Sequence, residues 1–169
     1  MKLPGWLYRS ERVGKNGKIF SLYKIRTMVP NSDRFTQFAT PEVYTRFGKF
    51  LRKIKADELP QLFNLLKGDL RLVGPRPDFW ETWELVPSHI RKRVLSIKPG
   101  LTSLASIYFH DEEQLLQDQP VDKFKNYYTI IKPMKLHLDL FYVEHHDIFL
   151  DLWILWRTFI ILAKSFFKK

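Results

Sequence analysis

Apolar residues recur along this chain in three spacings, and each predicts a different element. Near the N-terminus they alternate with polar residues. In residues 18–27, Phe20, Leu22, Lys24 and Arg26 share one face of a strand by the period of two. Asn16-Gly17 separates this run from residues 10–15, and Asn-Gly is a strong signal for a hairpin turn. Lys24 and Arg26 side by side on such a face form either a phosphate contact or an ordinary solvated edge. In the middle of the chain, Leu59, Leu62, Phe63 and Leu66 fall at i, i+3, i+4 and i+7, the stripe of an amphipathic helix. Asp57 reads as its N-cap, Pro60 fits its first turn, and Gly68 stops it.

At the C-terminal end the apolar residues form a broad helical face. Phe149, Leu152, Trp153, Trp156, Ile160, Ala163 and Phe167 lie on one side, and Asp147, Asp151, Thr158 and Ser165 form a narrower polar stripe. This amphipathic helix occupies about residues 147–167, in a last helical segment running from about Lys135 to the end. Between these landmarks, residues 29–40 are polar and read as a loop, and residues 43–55 as basic and partly helical. Residues 70–77 are a short apolar run ended by a rigid turn. Helices are predicted at 79–85, 88–96, 111–117 and 121–131, a turn at 98–100, and an extended apolar stretch at 101–109. The expected fold is α+β: mostly helices around a small hairpin or sheet built from the first ~30 residues and residues 101–109. Residues 1–169 read as a single domain.

Composition narrows the chemistry. There are no cysteines, which excludes disulfides, thiolate catalysis and cysteine metal sites. The formal net charge of +10 favours anionic partners: nucleic acid, anionic lipid or phosphorylated small molecules. No long Lys/Arg tail occurs, which weighs against nucleic acid. The most apolar stretch, residues 148–167, is interrupted by Asp151, Arg157 and Lys164, so no spanning helix is expected. The N-terminus carries no secretory signal. The five histidines show no zinc spacing, and no Gly-rich phosphate loop exists.

Asp57-Glu58 is the centre of the candidate chemistry. A carboxylate at a helix N-terminus is favoured as the anion, by about 0.3–1 kcal/mol when exposed. It can attack phosphorus or hold a hard cation such as Mg²⁺. Taken alone, the pair reads first as the N-cap and first-turn acid of an ordinary helix, because such pairs are common at helix starts. Arg26, Arg52 and Arg76 are candidate phosphate ligands, because guanidinium pairs bidentately with phosphate oxygens. Arg76 lies between Pro75 and Pro77, which stiffen its backbone.

At these residues the chain resembles the bacterial sugar transferase family of monotopic phosphoglycosyl transferases. The resemblance begins with residues 10–17 and 22–28. It is strongest at Asp57-Glu58-Leu59-Pro60-Gln61-Leu62, Lys67-Gly68-Asp69 and Leu72-Val73-Gly74-Pro75-Arg76-Pro77. It continues through Lys98-Pro99-Gly100-Leu101-Thr102, Tyr142-Val143-Glu144 and Leu150-Asp151-Leu152. It implies a mechanism in which Asp57 attacks the phosphate next to the sugar of a UDP-sugar. UMP leaves, and polyprenyl (undecaprenyl) phosphate takes the phospho-sugar, initiating exopolysaccharide, O-antigen or glycan synthesis. Glu58 would be the Mg²⁺ ligand and Arg52 a phosphate contact. Lys24, Arg26, Arg76, Thr102 and Asp151 would bind substrate.

The implied location is the cytoplasmic face of the bacterial inner membrane, peripheral or monotopic, with an anionic membrane surface as partner and no nucleic acid. The chain differs from the family pattern at Ser103, Ser106 and Tyr108-Phe109-His110, which bears on donor or sugar specificity and not on the dyad. It is expected to lack the family's N-terminal re-entrant helix, and its C-terminal segment from residue 157 onward is expected to touch lipid. Two other readings are a remnant of the same fold acting as a scaffold and a basic nucleic-acid-binding module.

Overall fold

In the computed structural model, which describes residues 4–29, 43–110 and 127–167, Asn16 and Gly17 both take positive φ (56° and 80°). They turn the chain between β1 (Leu7–Val13) and β2 (Ile19–Ile25), which pair antiparallel from Leu7↔Ile25 to Val13↔Ile19. Phe20 and Leu22 bury on one face with Leu70. The strand ends one residue before Arg26, which is exposed, so Arg26 does not continue the Phe20–Leu22–Lys24 face.

The expected sheet joining the hairpin to residues 101–109 does not form. The described residues contain two separate two-stranded sheets, the hairpin and a parallel pair of β3 (Arg71–Val73) with β4 (Gly100–Thr102). A Cβ on Gly100 would lie 2.1 Å from the Gly74 nitrogen, so only glycine allows this approach. The extended stretch predicted over 101–109 stops at Thr102. Ser103 then caps a short helix, its Oγ accepting from the Ser106 N–H at 2.9 Å.

Among the helices, α1 is Arg46–Lys53, α2 Gln61–Lys67, α3 Trp80–Glu84, α4 Ser88–Val94 and α5 Leu104–Tyr108. A π-helical turn, Tyr127–Ile131, leads into α6 (Lys132–His145), and α7 is Ile148–Phe167. The C-terminal segment is therefore two helices rather than one. His146 is extended, and the Asp147 carboxylate accepts from the Leu150 N–H at 2.7 Å, starting α7 afresh. The loop predicted at 29–40 and the helix at 111–117 lie almost wholly or wholly outside the described residues, as does the first part of 121–131.

Two cores flank α6. Leu136 and Leu140 pack on Val13, Trp83, Val86, Val94 and Leu95. Tyr142, with Leu138 against it, packs with Val73, Leu104, Ile107 and Ile154. The helix is fixed on both sides, which matters for Asp139 between them.

The helix predicted after Asp57 forms, but inside out. Leu59, Leu62, Phe63 and Leu66 are exposed, Leu66 at 86%, whereas Gln61 and Asn64 are buried. Asn64 explains the inversion. Its amide donates to Ser21 O at 2.6 Å and accepts from the Tyr23 N–H at 3.2 Å, standing in for a strand beside β2. A polar anchor that replaces two backbone partners outweighs apolar patterning at that face. Gly68, at φ +82°, ends the helix as expected.

Candidate active site

Asp57 is not an N-cap. Lys55 takes a left-handed conformation (φ 56°) and opens a 3-10 turn, Ala56–Glu58, so α2 starts only at Gln61. The turn swings Asp57 inward until it is 4% exposed, into a cavity of about 620 Å³. Both carboxylates of the dyad line this cavity, with Lys24, Arg52, Lys55 and Arg76. Four cations thus face two acids, a balance that suits a bound polyphosphate.

The two acids are held differently. Lys24 Nζ and Arg76 Nη2 both donate to Glu58 Oε1, at 2.8 Å and 2.5 Å. Burial alone pushes the Glu58 carboxyl up, but these two cations overturn it and hold the group well below its ordinary range. Asp57 moves the other way. Burial raises its carboxyl against the pull of Lys24, Arg52 and Lys55, and its Oδ1 has no hydrogen-bond partner. Burial likewise lowers the ammonium groups of Lys24 and Lys55, although Glu58 pulls both back up. Glu58 is therefore a fixed anion, and Asp57 a buried carboxylate with one oxygen unpartnered.

The remaining predicted residues divide. Arg52 lines the cavity, with its guanidinium 4.7 Å from the Tyr44 ring centre. Thr102 lines it too, its hydroxyl 2.8 Å from that of Thr158 on α7. Arg26 does not line it. Asp151 also stands apart, accepting from Arg71 at 3.1 Å and from the Tyr142 hydroxyl at 2.6 Å. Tyr142 OH also lies 3.0 Å from Val73 O, so this group ties β3 to α6 and α7. Among the described residues no cluster of three metal-ligating side chains occurs. Two neighbouring acids, one with an orphaned buried oxygen, fit Mg²⁺ in its usual manner, with one or two carboxylates and the rest of the shell from phosphates and water.

Several cavity residues escape sequence reasoning. Gln61 is 2% exposed with its side-chain amide nitrogen unpartnered. A second charged group comprises Arg12, Asp78, Lys132, Lys135 and Asp139. Asp139 had a signal: a lone acid inside the run Leu136-His137-Leu138-Asp139-Leu140-Phe141-Tyr142. The positions where this chain differs from the family pattern are also here, since Ser106, Phe109 and His110 all line the cavity.

The chain belongs to the bacterial sugar transferase family, whose model matches residues 2–165. It is 38% identical over 152 residues to the uncharacterized sugar transferase EpsL of Bacillus subtilis (strain 168), covering 89% of this chain and 66% of that protein. It is 30% identical over 168 residues to a UDP-N-acetylgalactosamine-undecaprenyl-phosphate N-acetylgalactosaminephosphotransferase of Aeromonas hydrophila, covering 95% and 36%. Against a UDP-glucose:undecaprenyl-phosphate glucose-1-phosphate transferase of Klebsiella pneumoniae it is 33% identical over 169 residues, covering 96% and 33%. The chain thus spans about two thirds of the first of these relatives and about a third of the other two.

Proposed function

We propose that this chain carries the catalytic site of a phosphoglycosyl transferase, moving a sugar-1-phosphate from a UDP-sugar to undecaprenyl phosphate. The observation that carries the reading is the Asp57 carboxylate: buried, with an oxygen unpartnered, in a cavity that four cations line. Asp57 attacks the phosphorus bearing the sugar, and the bond from that phosphorus to the UMP oxygen breaks. The resulting aspartyl phospho-sugar is then attacked by a phosphate oxygen of the polyprenyl acceptor. The aspartyl bond breaks, the carboxylate is regenerated, and a polyprenyl diphosphate sugar leaves.

Arg52 and Lys55 steady the donor phosphates, and Arg76 and Lys24 keep Glu58 anionic. Glu58 is the residue that would hold Mg²⁺, which when bound neutralises charge on phosphate oxygens.

The acceptor is a lipid, and the protein's surface suits one. Leu59, Leu62, Phe63 and Leu66 on and before α2, and Phe47 and Phe50 on α1, are exposed beside the cationic Arg46, Lys49 and Lys53. On α7 the exposed residues include Phe149, Leu152, Trp153, Trp156 and Phe159, while Asp151, Thr158 and Ser165 are more covered. Both helices also border the cavity, through Leu62 on one and Leu155, Ile161 and Leu162 on the other. No described helix is long and apolar enough to cross a membrane. The reading is of a protein lying on an anionic bilayer at the cytoplasmic face, with the cavity near the headgroups.

The test is UMP release from a panel of UDP-sugars, with Mg²⁺ and undecaprenyl phosphate in anionic vesicles. Acceptor-dependent UMP release is expected for at least one donor. No release from any donor, by folded protein that sediments with the vesicles, would leave the scaffold reading in its place.

A further inference from the structure

One acid in the cavity has no task in the reaction just described. Asp139, midway along α6, is 6% exposed and lines the cavity, and its Oδ1 has no hydrogen-bond partner. The nearest help is already engaged. Lys132 Nζ, itself buried, donates to Asp78 Oδ2 at 2.7 Å. Lys135 Nζ sits 5.7 Å and 5.5 Å from the ring centres of Phe109 and Tyr127. Because Leu136 and Leu140 are locked in one core and Leu138 and Tyr142 in the other, α6 cannot rotate to carry the carboxylate to water.

A buried carboxylate that holds nothing is costly, so a purely structural role gives no reason for it. The group around it also differs in charge from the dyad. Arg12, Lys132 and Lys135 stand against Asp78 and Asp139, a near-balance that does not call for phosphate. Only Pro77 separates Arg76, in the dyad group, from Asp78, in this one, so a single ligand can reach both.

We infer that Asp139 is a donor-binding residue whose carboxyl oxygen accepts a hydrogen bond from an uncharged part of the nucleotide-sugar while the diphosphate lies at the dyad. The inference rests on the UDP-sugar reading above. The group it accepts from is a neutral hydrogen-bond donor, either a hydroxyl of the transferred sugar or a donor of the nucleoside.

Binding of a UDP-sugar, UDP and UMP, each with Mg²⁺, is to be measured by calorimetry on the unsubstituted chain, Asp139→Asn and Asp139→Leu, alongside thermal unfolding. Both variants are expected to keep or raise the melting temperature, because an unsatisfied buried charge is removed. Asp139→Leu is expected to lose UDP-sugar affinity by about tenfold or more, the scale of one buried hydrogen bond to a charged group, and Asp139→Asn, whose amide oxygen still accepts, by less. An equal loss for UMP assigns the contact to the nucleoside, and a loss confined to the UDP-sugar assigns it to the sugar. If Asp139→Leu unfolds, Asp139→Ala, which also lacks an acceptor, takes its place. UDP-sugar affinity within twofold of the unsubstituted chain in whichever of these two is folded would overturn the inference alone. Failure of the unsubstituted chain to bind any of the three ligands would overturn the donor reading, and the inference with it.

Discussion

Two charged groups share one cavity and treat their acids in opposite ways. Around the dyad, Glu58 receives Lys24 and Arg76 on one oxygen and is held as an anion well below its ordinary range. Around α6, Asp139 receives nothing, and burial lifts it to about 7. Burial pushes both carboxyls up, so burial alone does not set the outcome. What differs is which carboxylate the cations bond: Lys24 and Arg76 donate to Glu58, whereas Lys132 donates to Asp78. The comparison teaches that one part of the cavity is completed by the protein and another is left for something else to complete. Asp57 belongs with Asp139 in this respect, since its Oδ1 is also unpartnered although cations surround it.

The sharpest break of this comparison is at Asp57. Asp57→Asn preserves shape and removes the nucleophilic charge, so turnover is expected to fall by about 10³-fold or more with little change in melting temperature. Glu58→Gln removes the anion that binds Lys24 and Arg76 and leaves two cations crowded without it. A loss of about 10²-fold or more in kcat is expected, along with loss of any Mg²⁺ stimulation, and excess chelator should silence the unsubstituted chain. Full activity in chelator would remove the metal from the account.

Next in size is Asp151, which does not line the cavity. Asp151→Asn weakens the bonds from Arg71 and Tyr142 and is expected to cost about 1–3 kcal/mol in denaturant unfolding. Its activity, corrected for the folded fraction, should change less than that of either dyad variant.

The pH dependence of stability separates the two groups by its sign. Asp139 has a folded value of about 7, raised above its ordinary 3.8, and faces Lys132, Lys135 and Asp78. Its contribution is therefore fully present below about pH 4 and lost as pH rises to 7. The unsubstituted chain should lose stability relative to Asp139→Asn across that window, by up to about 1.4 kcal/mol per pH unit. Glu58, depressed below 4.5, contributes above that value and loses its contribution as pH falls. Thermal melts should thus show Asp139→Asn diverging from the parent as pH rises from 4 to 7, and Glu58→Gln diverging from it as pH falls below about 4.5. Parallel curves would mean that the two acids are not held differently.

What could be read from the sequence was what is decided locally. Asn16-Gly17 sets the hairpin and Gly68 ends α2, because each needs only its own backbone conformation. The dyad was identifiable from its motif, yet its geometry was not. Lys24 lies 34 residues before Glu58 and Arg76 lies 18 after it, and no periodicity reports that both reach one oxygen. The orientation of α2 was not legible in its apolar spacing, because Asn64 bonds to β2 more than 40 residues away, and that contact decides which face is inside. Arg26 was placed with Lys24 by extending an alternation past the end of β2. In the polar stripe, Asp151, Thr158 and Ser165 are partly covered while Asp147, just before α7, is exposed, and Phe149, Leu152, Trp153 and Trp156 of the apolar face are exposed.

The central claim is that Asp57 forms the covalent bond, and intact-mass spectrometry tests it most directly. The protein is incubated with Mg²⁺ and a UDP-sugar that it turns over, without polyprenyl phosphate, and quenched. The account predicts a species heavier by one sugar-phosphate, mapping to Asp57, absent in Asp57→Asn and discharged when undecaprenyl phosphate is added. Rapid acceptor-dependent turnover with no such species at any quench time, or a discharge-competent adduct on another residue, would contradict it.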